Sequence, residues 1–193
     1  MQFAAGCLAL FAGLALYAQS GDPARGGRSA APQPKLELKC GAQDNCAAYA
    51  TTRAGVRVKA YQGYARAAGW RRHGGNLAEL RWSCGSPCSI SLFVDLDKGR
   101  VSEQMQDVLA VDAARALAAV GARRAIEVRR IFDGPKPLAK VERDFSPVAA
   151  MPSAIESAQF NAAGDLVLNY LKGAAFTPTR DVVHLDLKSP AAK

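Results

Sequence analysis

Short runs of alternating apolar and polar residues recur along this chain, most of them closed by Gly, Pro, Asn or Asp. Successive side chains of a strand point to opposite faces, so this pattern buries one side of a β-strand and cannot bury one side of a helix. "KLELK" at 35–39 alternates. "GVRVKAYQGYA" at 55–65 sets Val56, Val58 and Ala60 against Arg57, Lys59 and Tyr61. "SISLFVDL" at 89–96 puts Ile90, Leu92 and Val94 on one face and Phe93 on the other. "DLDKGR" follows as a turn, with Gly99 where a positive φ is easiest. "AIEVRRIF" alternates up to Arg129 and Arg130, where adjacent charges predict a bulge or a strand end. "ESAQFNAAGDLVLNYLKG" reads as a hairpin about a Gly-containing loop, and "RDVVHLDLK" as a last strand.

One stretch reads two ways. In "SEQMQDVLAVDAARALAAVG", Met105, Val108, Leu109, Asp112 and Ala116 fall at helical spacing, and alanine favours helix. The same stretch also divides into "VLAVD" and "RALAAVG" about a turn. Strands on both sides favour the second reading, and a helix at about 103–120 stays open as the alternative. The expected fold is mostly β: an antiparallel meander forming a sandwich or partial barrel. "AQFNAAGDLVLNY" also looks like a blade hairpin of a β-propeller, although the chain is too short for a closed one.

The first twenty residues carry no Lys, Arg, Asp or Glu, and Ala18-Gln19-Ser20 has the small-residue spacing of a signal-peptidase site. The sixteen uncharged residues from Phe3 to Ala18 suit a secretory core better than a membrane span, which needs about 20. Residues 1–20 are therefore expected to be a signal peptide. The Cys7 context comes too early to be a lipidation site. Residues 21–35 hold Gly, Pro, Ser and Ala with almost no large apolar group and read as a linker. The folded domain is expected over 36–188, with 189–193 a frayed tail. The protein is placed in the periplasm or outside the cell, with the membrane involved only if the N-terminal segment stays uncleaved.

Four cysteines then remain, in two local pairs: Cys40 with Cys46, and Cys84 with Cys88. An even number in an exported chain reads as disulfides. Local pairing is favoured because each loop holds bending residues, Gly41 with Asp44 and Asn45, and Gly85 with Pro87. Cross-pairing, which would tie the N-terminal strand to the middle of the sheet, stays open. A redox centre at CGSPC lacks the helix N-terminus that would lower a thiol pKa, because a strand-like run follows. The spacing is also wrong for a zinc knuckle. Asp95 and Asp97 lack the remaining ligands of a calcium loop.

The sequence implies no cofactor and no metal. His73, in "WRRHGG", and His184, in "VVHLDL", read as packed or solvated histidines. No nucleophile elbow, zinc-protease motif or phosphate-binding loop is present. An enzyme with thiol-redox or carboxylate chemistry is the alternative to a binding module.

Charge is the remaining signal. The chain carries a formal +8, and from Arg53 to Arg81 seven cations face Glu79 alone. Arg57, Lys59, Tyr61, Tyr64, Arg66, Trp70, Arg71 and Arg72 form a basic and aromatic stretch suited to anionic or ring-bearing ligands. The plainer alternative is a solvated sheet face with Trp70 and Trp82 in the core. The expected partner is an envelope protein or an anionic envelope polymer. Nucleic acid would use the same features, but export argues against it.

At "WSCGSPCSISLFVDLDKGRVSE" through "IEVRRIF", the chain resembles a loose set of uncharacterised secreted bacterial proteins. They carry a CG-x-x-C or CG-x-x-x-C element followed by VD-x-x-x-G-x-V. Here those positions are Cys84, Gly85, Cys88, Val94, Asp95, Gly99 and Val101. The resemblance covers about a third of the chain. It implies export and a β-rich fold, and no activity.

Overall fold

In the first sheet, β1 (Lys35–Cys40), β2 (Asn45–Thr51) and β3 (Arg57–Tyr64) pair antiparallel in chain order. The second sheet follows the same rule with β4 (Arg66–His73), β5 (Leu77–Ser83), β6 (Ser89–Asp95) and β7 (Met105–Gln106). The third holds β8 (Val108–Asp112), β9 (Leu117–Ala122), β10 (Ala125–Arg130) and β11 (Pro137–Glu142). The fourth holds β12 (Ile155–Phe160), β13 (Leu166–Lys172) and β14 (Thr177–Val183). These elements come from a computed structural model that describes residues 32–148 and 151–186. The expected signal peptide, most of the linker and the tail lie outside the described residues.

The mostly β, antiparallel fold read from the alternation is the one observed, and no sheet closes into a barrel. Each sheet packs face to face on the next, as sandwich layers do. Sheets one and two enclose Ala48, Ala50, Leu80, Trp82, Leu92 and Val94. The opposite face of sheet two supplies Leu77 and Phe93, which meet Val108, Ala118 and Val120 of sheet three. The far face of sheet three, with Ile126 and Val128, packs on Leu166, Leu168 and Tyr170 of sheet four.

The ambiguous stretch is strand, not helix. β7 and β8 occupy it, and β9 pairs with β10 from Leu117↔Arg130 to Ala122↔Ala125. Two acids break the helical alternative. Asp107, at φ 52°, donates its N–H to Ser89 and accepts the Ser89 N–H on its carboxylate. Asp112 Oδ1 accepts the Arg115 N–H at 3.1 Å and closes the next turn. Arg129 lies beside a bulge against β11, and Arg130 ends β10, so the adjacent charges mark both features. The last strand stops at Val183, and His184 lies just beyond it.

A second departure is in β3. A register shift opposite Ala48 and Tyr49 leaves Ala60 unpaired, with Lys59 opposite Tyr49 and Tyr61 opposite Ala48. One extra residue reverses the alternation after it. Tyr61 therefore leaves the side of Arg57 and Lys59, turns inward and packs on Trp82, with ring centroids 4.6 Å apart.

Candidate functional site

Pairing across the first sheet aligns three rows: Lys35–Thr51–Arg57, Glu37–Tyr49–Lys59 and Lys39–Ala47–Gln62. The residues between them, including Leu36, Leu38, Ala48, Ala50 and Tyr61, pack into the core. The three rows therefore face away from the core. Neighbouring strands lie about 5 Å apart and rows two residues apart about 7 Å. The face brings Lys35, Lys39, Arg57 and Lys59 together with Glu37 as its one acid, a net +3. Arg57 lies 2.9 Å from Glu37, and its guanidinium stands 4.0 Å over the Tyr49 ring. Lys35, Lys39 and Lys59 have no acidic partner among the described residues. Tyr64, 59% exposed, lies at the end of the same face opposite Asn45.

The basic and aromatic stretch is thus divided between two sheets. Arg57, Lys59 and Tyr64 are on the outward face, and Tyr61 is packed beneath it. Arg66, Trp70, Arg71 and Arg72 belong to β4. Trp70 packs against the first core and donates from Nε1 to the Glu37 carbonyl at 3.1 Å. Arg72 donates to the Pro34 carbonyl at 2.6 Å, so it fastens the start of β1. Arg66 is exposed at the start of β4. Lys35, Lys39 and Tyr49 were missed in the sequence because they join this face only through strand pairing.

Arg71 points the other way, into a cleft of about 320 Å³ between β4, β5, β8 and β12. His73, Glu79 and Arg81 line it with Arg71. Glu79 is 1% exposed, and both of its oxygens are used. The Ser91 hydroxyl donates to Oε1 at 2.6 Å, and His73 Nε2 lies 2.6 Å from Oε2. Burial pushes the Glu79 carboxyl up, but the hydrogen bonds from His73 and Ser91 and the charges of His73 and Arg81 outweigh it. The group is held below its ordinary value. A serine nucleophile needs its base beside it, whereas here the carboxylate separates serine from histidine. The arrangement locks three strands together around a buried charge. Residue parity was the signal that could have found it. "HGGN" is a tight turn, so His73, Leu77, Glu79 and Arg81 share one face of the hairpin.

The disulfides are the local pairs. Cys40 joins Cys46 across the first hairpin, and Cys84 joins Cys88. β6 follows Cys88 directly, so no helix dipole acts on either sulfur. Asp95 Oδ1 accepts the N–H groups of Asp97 and Lys98 at 3.0 Å each, and Asp97 pairs with Arg53 at 2.9 Å. Both acids thus hold the turn, and Gly99 has φ +69° there as the sequence expects. His184 lies 3.1 Å from Asp165 and is largely exposed. Among the described residues no cluster of three His, Cys, Asp or Glu could hold a metal, and no helix is long and apolar enough to cross a membrane.

The chain matches no protein-family model and no curated protein. Two disulfides fit a non-reducing environment.

Proposed function

We propose that this protein is an exported binding module that holds an anionic envelope polymer on the outward face of β1–β3. The observation that carries this reading is the net +3 of that face, with three of its four cations lacking an acid partner among the described residues. Cations spaced on a rigid sheet attract a repeating anion without deforming. Tyr49 and Tyr64 add ring surface beside them. Export is supported by the uncharged first twenty residues, by the two disulfides and by the resemblance to secreted bacterial proteins.

The test uses alginate, a polyuronate, as the probe. Wild-type protein binds it, and the affinity falls steeply as salt rises, because each contact releases condensed counterions. The Lys39→Glu/Lys59→Glu variant changes the face by four charges and loses binding at least tenfold while keeping its melting temperature. Binding that ignores salt, or that survives the double reversal, refutes the proposal. Capture of an acidic envelope protein instead, lost in the same variant, would move the partner class from polymer to protein.

A further inference from the structure

A second cavity lies at the turn ends of the third and fourth sheets. It has a volume of about 550 Å³ and is bounded by the β9–β10 turn, the chain leaving β11 and the β13–β14 turn. Arg123, Arg124 and Arg143 bring three guanidinium groups to its wall, and Asp144 one carboxylate. Arg143 is already engaged, with Nε 2.5 Å from Asp181 and Nη1 donating to the Glu142 carbonyl at 2.8 Å. Arg123 and Arg124 have no partner among the described residues. Set against Asp144, they leave one positive charge in excess. Phe145, Pro147, Val148 and Met151 form an apolar wall. Phe145 is fixed there by edge-on packing against Tyr170, centroids 5.1 Å apart.

Ser146 also lines this cavity. It is 4% exposed, and its Oγ has no hydrogen-bond partner among the described residues. Its backbone is held in place, the N–H donating to the Leu171 carbonyl at 2.8 Å and the carbonyl accepting from Val148 at 2.8 Å. The hydroxyl has almost no accessible surface, so a molecule in the cavity does not reach it, and the polar groups offered there are the two unpaired guanidiniums. The volume falls within the range of small-molecule sites.

We infer that this cavity binds a small amphiphilic monoanion. Its charged head meets Arg123 and Arg124, and its apolar body lies on Phe145, Pro147, Val148 and Met151. A carboxylate or sulfonate head meets the single charge in excess. The site shares no residue with the outward face of β1–β3, so either proposal can fail without the other.

The probe is 8-anilinonaphthalene-1-sulfonate, with its fluorescence read on the folded protein and decanoate as competitor. Three results are expected. Decanoate displaces the probe and decanol at the same concentration does not. Arg123→Ala/Arg124→Ala weakens binding at least tenfold. Ser146→Ala leaves binding unchanged, because its hydroxyl is sealed from the cavity. Equal displacement by decanol, unchanged affinity in the arginine variant, or weaker binding in Ser146→Ala each overturns the inference. Alginate binding by all these variants stays at the wild-type level.

Discussion

Replacing Glu79 by alanine removes the shared partner of His73 and Ser91 from a place that water hardly reaches. Glu79 is 1% exposed and Ser91 0%. The carboxylate makes a hydrogen bond of 2.6 Å to each. Hydrogen bonds to a charged group contribute about 1.5–3 kcal/mol each, so the two bonds place the loss for Glu79→Ala at about 3–6 kcal/mol at pH 7. With a urea slope of about 2 kcal/mol per molar, the unfolding midpoint falls by about 1.5–3 M. Glu79→Gln keeps the shape and an acceptor for Ser91, and loses about 1–3 kcal/mol. The pH dependence gives an independent check. The Glu79 carboxyl is held below its ordinary value of 4.5, so its contribution is fully present above that pH and disappears as pH falls through the lower folded-state value. The gap between wild type and Glu79→Gln therefore narrows on acidification below 4.5. Urea titrations of the three proteins at pH 7, 5, 4 and 3 measure it. A loss under 1 kcal/mol for Glu79→Ala, or a gap unchanged from pH 7 to pH 3, refutes the buried charge lock.

Other consequences are as direct. Non-reducing peptide mapping finds Cys40 bound to Cys46 and Cys84 to Cys88, and serine replacement of either pair costs about 2 kcal/mol, because so short a loop restricts the unfolded chain only modestly. Gly99→Ala costs about 1–3 kcal/mol in urea titration, since φ is +69° and the new methyl would lie 3.2 Å from Val58 Cγ2. Tyr61→Ala costs about 2–4 kcal/mol and changes the Trp82 fluorescence, whereas Tyr64→Ala, on the open face, does neither. Intact-mass measurement of the exported protein shows residues 1–20 removed, and their retention would refute the signal-peptide expectation.

The sheets were legible in the sequence because alternation is a property of single residues, and β1, β6, β10 and the β12–β13 hairpin follow it. The turn at Gly99 was legible for the same local reason. The 102–121 stretch was not, because alanine fits helix and buried strand equally. Asp107 and Asp112 decide it through contacts that the local pattern does not reveal. The bulge at Ala60 was hidden as well: nothing in "VKAYQG" marks the unpaired residue, and it alone sends Tyr61 to the core. The basic stretch was visible as charge, but its division between two sheets was not. Lys35 and Lys39 lie some twenty residues before Arg57 and Lys59 and reach them only through β2. Glu79 stood out as the one acid among cations, and its partner His73 was within reach of a parity argument across "HGGN".

A pile of sheets has two ends, and its growth is governed by what they present. Every inner face here is covered by a neighbour, but the outward face of β1–β3 is not. An apolar surface there would invite the first sheet of another copy, and the layers would continue from molecule to molecule. Two such faces meeting at the usual sheet spacing of about 10 Å would instead bring one net +3 against another, a separation little more than the Debye length of about 8 Å at physiological salt. The cations act as a terminator. An anionic strand laid between two copies would cancel that repulsion, so a polymer that this face binds would also be able to bridge two molecules.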